Sequence, residues 1–157
     1  MRASFWKRND LGELEALGKG FGVRVFLFAA FAVPVLLRLP LPRLKAWLEP
    51  RSPRPAREDL PPAAAEAIVR RIDAVLRSGH PLIRSGCLTR GFTLYHFLRR
   101  AGANVCLHFG MGQIDGAFAG HCWIDLGGEP LAEPRDPRQL FVETYHISPH
   151  ERAVAGG

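Results

Sequence analysis

SGCLTRGFTLYHFLRRAG, residues 85–102, is an apolar run of helical character that opens near a cysteine and closes on a glycine. Leu88, Phe92, Leu94, Tyr95, Phe97 and Leu98 put apolar groups on most sides, which predicts a central, largely buried helix ending before Gly102. Ser85 is the expected N-cap, with Gly86 and Cys87 at the first and second helical positions. Backbone N–H groups there lack intrahelical partners, and the helix dipole favours an anion. Thiol pKa values fall from about 8.5 to roughly 3.5–7.5 in such settings, which makes Cys87 the candidate nucleophile. Gly91 follows one turn later on the same face. A glycine inside a helix costs about 1 kcal/mol relative to alanine, so its presence predicts a strand packed closely against that face.

The second informative stretch is GHCWIDLGGEPLAE, residues 120–133, which places His121 on a strand 34 residues after Cys87. Alternation and glycine turns predict strands over 105–111, 121–125 and 129–133, with a final strand over 139–147. A three-residue loop of Leu126, Gly127 and Gly128 would pair Asp125 with Glu129 and His121 with Glu133. A two-residue loop would pair His121 with Pro134 instead. Asp125 lies roughly 13 Å from His121 along an extended strand, too far for a hydrogen bond. Glu133 is therefore the expected orienting acid.

The run CLTRGFTLYHFLRRAGANVCLHFGMG followed by GHCWIDLGGEPLAE resembles the transglutaminase-like superfamily, in particular the branch typified by the lasso-peptide leader peptidases. The likeness spans about residues 60–150: a cysteine beginning the central helix, a histidine in an HxW strand, and an acid a dozen residues later. It implies an α+β, papain-like cysteine-peptidase core in which the helix carrying the cysteine packs on an antiparallel sheet, here with extra N-terminal helices. It implies Cys87 as nucleophile, His121 as general base and acid, and Glu133 as third member. One departure is that the best-known members use aspartate third, and glutamate lengthens the reach by about 1.5 Å.

The implied activity is removal of the leader from a ribosomally made lasso-type precursor peptide, before a separate ATP-dependent cyclase closes the ring. No cofactor is implied. Members work with a small leader-binding protein, and since no such fold is recognisable in residues 1–58, a separate partner is expected. The same fold hosts other thiol amidases and acyl transferases, and a non-catalytic peptide-binding or membrane-associated module is a further alternative.

Other residues carry less. Cys106 and Cys122 read as packing residues, and His80, His96, His108, His146 and His150 show no metal-ligand spacing. No phosphate-cradling glycine motif, metallopeptidase helix motif or nucleophile elbow is present. A chain of 157 residues with 47% hydrophobic content suits one core. Three cysteines, an odd number, with no secretory leader predict a reducing, cytoplasmic setting. The net charge of +6 comes from scattered arginines and suits an acidic peptide or an anionic membrane surface. Without an aromatic-basic recognition motif, nucleic acid is not an expected partner.

These patterns divide the chain into a hydrophobic helical segment over 1–50, a proline- and charge-rich linker over 51–58, a catalytic unit over 59–150 and a tail over 151–157. Asp59 is the expected cap of a helix that begins with Pro61 and Pro62 and buries Ile68, Ile72, Val75 and Leu76 before Gly79. The 13 apolar residues at 25–37 fall short of the roughly 20 needed to span a bilayer. They fit either a helix packed on the enzyme or a partner, or a peripheral membrane contact over 21–41 on the inner face, with Arg24, Arg38, Arg43 and Lys45 near the headgroups.

Overall fold

A computed structural model describes residues 18, 20–49 and 60–149; the linker, Asp59 and the tail lie outside them. Helix α1 (Gly20–Leu27) runs through a π-helical turn (Phe28–Ala32) into α2 (Val33–Leu36), followed by α3 (Leu41–Leu48), α4 (Pro62–Ser78) and α5 (Cys87–Arg100). Strands β1 (Val105–Ile114), β2 (Ala117–Leu126), β3 (Glu129–Pro130) and β4 (Phe141–Ile147) form an antiparallel sheet in the order β3-β2-β1-β4. The fold is α+β, with the helix that carries Cys87 packed on β1 and β2.

Proline and glycine set the ends of α4. Pro62, which lacks the N–H that would go unused there, sits in its first turn, and Gly79 caps its C-terminus. Ala65, Ile68, Val69 and Ile72 recur at helical spacing and are buried, each of the larger ones contributing about 1.5–3 kcal/mol. Helix α5 is buried from Gly91 to Leu98 because the sheet, α4 and the N-terminal helices enclose it. A Cβ on Gly91 would lie 2.8 Å from Cys122 Sγ and 3.1 Å from Leu107 Cδ1, so the glycine admits the close strand approach expected from its sequence position.

The N-terminal helices share this core. Phe21, Val25, Phe28, Val33, Leu36, Leu44 and Leu48 are buried in it, with Phe21 edge-on to Phe97 at 5.3 Å and Phe28 stacked on His96 at 4.1 Å. Tyr95 Oη donates to the carboxylate of Glu49, which also receives Arg99 Nη2 at 3.4 Å, fastening the end of α3 to α5. The π turn just before Pro34 accommodates a residue that cannot donate to the preceding turn. Of the two readings of 25–37, one face of this segment is packed on the enzyme. No helix among the described residues is long and apolar enough to cross a membrane.

The sheet corrects three sequence expectations. Strands β1 and β2 are ten residues each and meet at a tight turn of Asp115 and Gly116, both left-handed at φ 52° and 80°. The β2–β3 connection is a two-residue loop of Gly127 and Gly128, with Leu126 paired to Glu129 and Asp125 to Pro130, so the three-residue loop is wrong. Two consecutive left-handed glycines favour the shorter loop, whose twist matches the strands. β3 ends at Pro130, and β4 begins at Phe141 after a 3₁₀ turn, Pro137–Gln139.

Candidate active site

Helix α5 starts one residue later than its sequence suggested. Gly86, in extended conformation, is the N-cap and makes no side-chain cap, so Cys87 occupies the first helical position and Ser85 lies outside. The first intrahelical bond is Arg90 N–H to Gly86 O at 3.1 Å, which leaves the Cys87 N–H pointing out of the helix end.

Cys87, His121, Cys122 and Glu133 line one cleft of about 560 Å³, with Asp73, Arg77 and Arg84 also on its wall. Cys122 alternates with His121 on β2, so it faces α5 over Gly91, and its Sγ donates to the Cys87 carbonyl at 2.8 Å. The Cys87 thiol is lowered from 9.0 to about 5, first by the Cys122 thiol, then by the Cys122 backbone N–H and by His121, against opposition from its own burial. The Cys122 thiol is pushed up, first by its bond to Cys87 and then by burial. In this pair Cys87 carries the negative charge and Cys122 keeps its proton.

His121 is placed by rings and by an acid. Its imidazole lies 6.2 Å from the Trp123 ring at 18° and 5.1 Å from Phe141. His121 Nε2 is 3.2 Å from Glu133 Oε2, which leaves Nδ1 for a proton exchange in the cleft. Although the two-residue loop aligns His121 with position 134 in the ladder, the chain leaves the ladder after Leu131, whose N–H still bonds Ile124 O at 2.8 Å. Ala132, left-handed at φ 54°, then turns Glu133 back onto His121. The expected contact is present through a different backbone path.

Arg90 fixes that carboxylate. Its Nη1 donates to Glu133 Oε1 at 2.9 Å, Nη2 to Ala132 O at 3.2 Å, and Nε to Asp73 Oδ1 at 2.9 Å. Glu133 is only 7% exposed, so a partner for its second oxygen is a requirement of burial. Sequence reading missed Arg90, although a cation one turn from the cysteine, in a helix with no other cation before Arg99, was a usable signal. Asp125 is elsewhere: its Oδ2 lies 2.6 Å from His108 Nε2. Cys106, expected to pack, instead shares a strand face with His108 beside Asp125.

A half-buried cysteine at the N-terminal end of a central helix, sharing a cleft with an acid-bonded histidine on an antiparallel sheet, is an arrangement suited to thiol chemistry. A sequence profile of the transglutaminase-like superfamily matches residues 29–146, and the chain belongs to that superfamily, whose members are commonly cysteine peptidases or acyltransferases. No curated protein and no solved structure matched the chain.

Proposed function

We propose that this chain is a cysteine peptidase that removes the leader from a lasso-type precursor peptide through Cys87, His121 and Glu133. The observation that carries the reading is the convergence of a lowered thiol and a carboxylate-bonded imidazole in one cleft. The Cys87 thiolate attacks the scissile carbonyl, and the oxyanion accepts a hydrogen bond from the Cys87 N–H at the helix end. His121 donates its proton to the leaving amine, and a thioester remains on Sγ. His121 then takes a proton from water, whose oxygen attacks the thioester, releasing the new carboxylate and restoring the thiolate. Glu133 holds the imidazole and stabilises its charged form.

The substrate class rests on the C…HxW…acid spacing and on the cleft rim. Arg77 and Arg84 there suit a peptide with acidic groups near the cut. Residues 20–48 are committed to the enzyme's own core, which favours a separate leader-binding protein, with the ATP-dependent cyclase acting on the product. The outer side of the same segment exposes Val23, Leu27, Phe31 (65% exposed) and Val35 beside Arg24 and Arg38, which suits peripheral contact with an anionic membrane on its cytoplasmic face. Acyl transfer differs only in the last step, where an amine would replace water.

Initial rates at subsaturating precursor test this reading. Addition of the leader-binding protein is expected to raise cleavage at least about tenfold, mainly through KM, because it makes attack effectively intramolecular. Mass spectrometry of the products is expected to find a free carboxylate at the cut. Absence of cleavage with the partner present, or an amide product, would reject leader hydrolysis.

A further inference from the structure

On the sheet face opposite Cys122, a second cluster lies apart from the cleft. Cys106 and His108 are two residues apart on β1, and Cys106 is directly paired with Asp125 on β2. The Cys106 thiol, a His108 ring nitrogen and an Asp125 oxygen all lie within 4.8 Å of one another. The His108 and Asp125 side chains are only 14% and 15% exposed. The His108 ring lies flat on Trp123, at 5.4 Å and 10°, so its plane is fixed. Its Nε2 points at Asp125 and its Nδ1 at Glu143, each at 2.6 Å. Glu143 Oε1 is in turn 2.8 Å from His146 Nδ1 on β4.

We propose that Cys106, His108 and Asp125 form a binding site for a divalent transition metal ion, zinc being the best fit. The donor set decides the ion: a thiolate and an imidazole exclude magnesium and calcium, which take oxygen, while sulfur, nitrogen and one carboxylate are common zinc ligands. Zinc bonds of about 2.0–2.3 Å put ligand atoms roughly 3.3–3.8 Å apart in a tetrahedron. The ion therefore needs the His108–Asp125 contact to open by less than about 1 Å. Glu143 on the far nitrogen is the outer carboxylate that orients a ligating histidine, and it selects Nε2 as the metal-binding atom.

A plain ion pair explains less of this arrangement. An imidazolium between two carboxylates accounts for the His108 contacts but not for a thiol within 4.8 Å of both the ring nitrogen and the Asp125 oxygen, a thiol that otherwise meets Ser148. With a metal bound, the thiol and Nε2 protons leave to solvent, and one ion replaces them. The three ligands come from β1 and β2, and the outer acid ties in β4. The site would brace the strand on which His121 sits, with Trp123 between the two histidines. A fourth position remains for water.

Cobalt(II) binding to the full-length Cys87→Ala protein tests the site without a contribution from the cleft thiol. The expected result is one equivalent of cobalt with a thiolate-to-metal charge-transfer band, displaced by zinc, lost in Cys106→Ser and kept in Cys122→Ala. Zinc at about 100 times its Kd is expected to raise Tm by roughly 5–10 °C. Glu143→Gln, which keeps all three ligands, is expected to weaken zinc by about 10–100-fold, and it serves if Cys106→Ser does not fold. No stoichiometric binding, a band that survives Cys106→Ser, or unchanged affinity in Glu143→Gln would overturn the proposal.

Discussion

Glu133 reaches His121 from outside the sheet, with one carboxylate oxygen 3.2 Å from His121 Nε2 and the other held by Arg90 at 2.9 Å. The strand ladder does not make this contact; the left-handed turn at Ala132 does. Glu133→Gln is expected to lower kcat by roughly 10²-fold, as loss of a positioned acid–base partner does, and Asp125→Asn to lower it less. Steady-state kinetics on folded variants check the order, and a larger effect at Asp125 would contradict the geometry.

Arg90 links Asp73 on α4, the turn at Ala132 and Glu133. Arg90→Gln leaves two carboxylates underpaired in a partly buried place, at a cost of about 2 kcal/mol, between the values for exposed and fully buried pairs. Thermal unfolding is expected to fall by roughly 4–8 °C. A change within 1 °C or so would mean that solvent satisfies Glu133.

The Cys87 thiol is lowered to about 5, with the Cys122 thiol as the first cause. Alkylation of Cys87 by a neutral reagent is expected to rise through a midpoint near that value, and Cys122→Ala to move the midpoint upward. The folded value lies below the ordinary 9.0, so the unfolded chain binds the extra proton between about 5 and 9. This group's stabilising contribution is complete above about 9 and is lost as pH falls through about 5. A midpoint that stays put in Cys122→Ala would remove Cys122 from the account.

Gly91→Ala sets two effects against each other. Alanine gains about 1 kcal/mol in helix propensity, whereas its Cβ would sit 2.8 Å from Cys122 Sγ and 3.1 Å from Leu107 Cδ1. Overpacking of that kind costs about 1–3 kcal/mol, so packing wins. Lower Tm together with slower Cys87 alkylation is the expected pair of results, the second because Cys122 is pushed off Cys87.

Much of this was legible in the chain because it depends on local chemistry. The apolar run after Cys87, the glycine where a strand approaches, and the HxW strand followed by an acid named the helix, the sheet and the three residues that meet in the cleft. What was illegible depends on register and on turns. The turn at Asp115 and Gly116 extends both flanking strands beyond the 105–111 and 121–125 that alternation alone predicts. The loop is Gly127 and Gly128 alone, one residue shorter than the glycine pattern predicts, and the φ of Ala132, set by tertiary contacts, has no sequence mark. The trio of Cys106, His108 and Asp125 exists only across a strand pair, so no linear spacing reveals it. The apolar segment at 25–37 was ambiguous for a similar reason: its composition suits α5, a partner or a membrane equally.

The central claim is that Cys87 is the nucleophile and the only thiol the reaction needs. Single-turnover cleavage of the precursor, with the leader-binding protein present, tests it in wild type, Cys87→Ala, Cys106→Ala and Cys122→Ala. Loss of a nucleophile can cost roughly 10⁶ in turnover where such groups act as a unit. Cleavage is expected to vanish in Cys87→Ala while persisting in the other two, slowed in Cys122→Ala. Wild-type turnover by the Cys87→Ala protein would contradict the account.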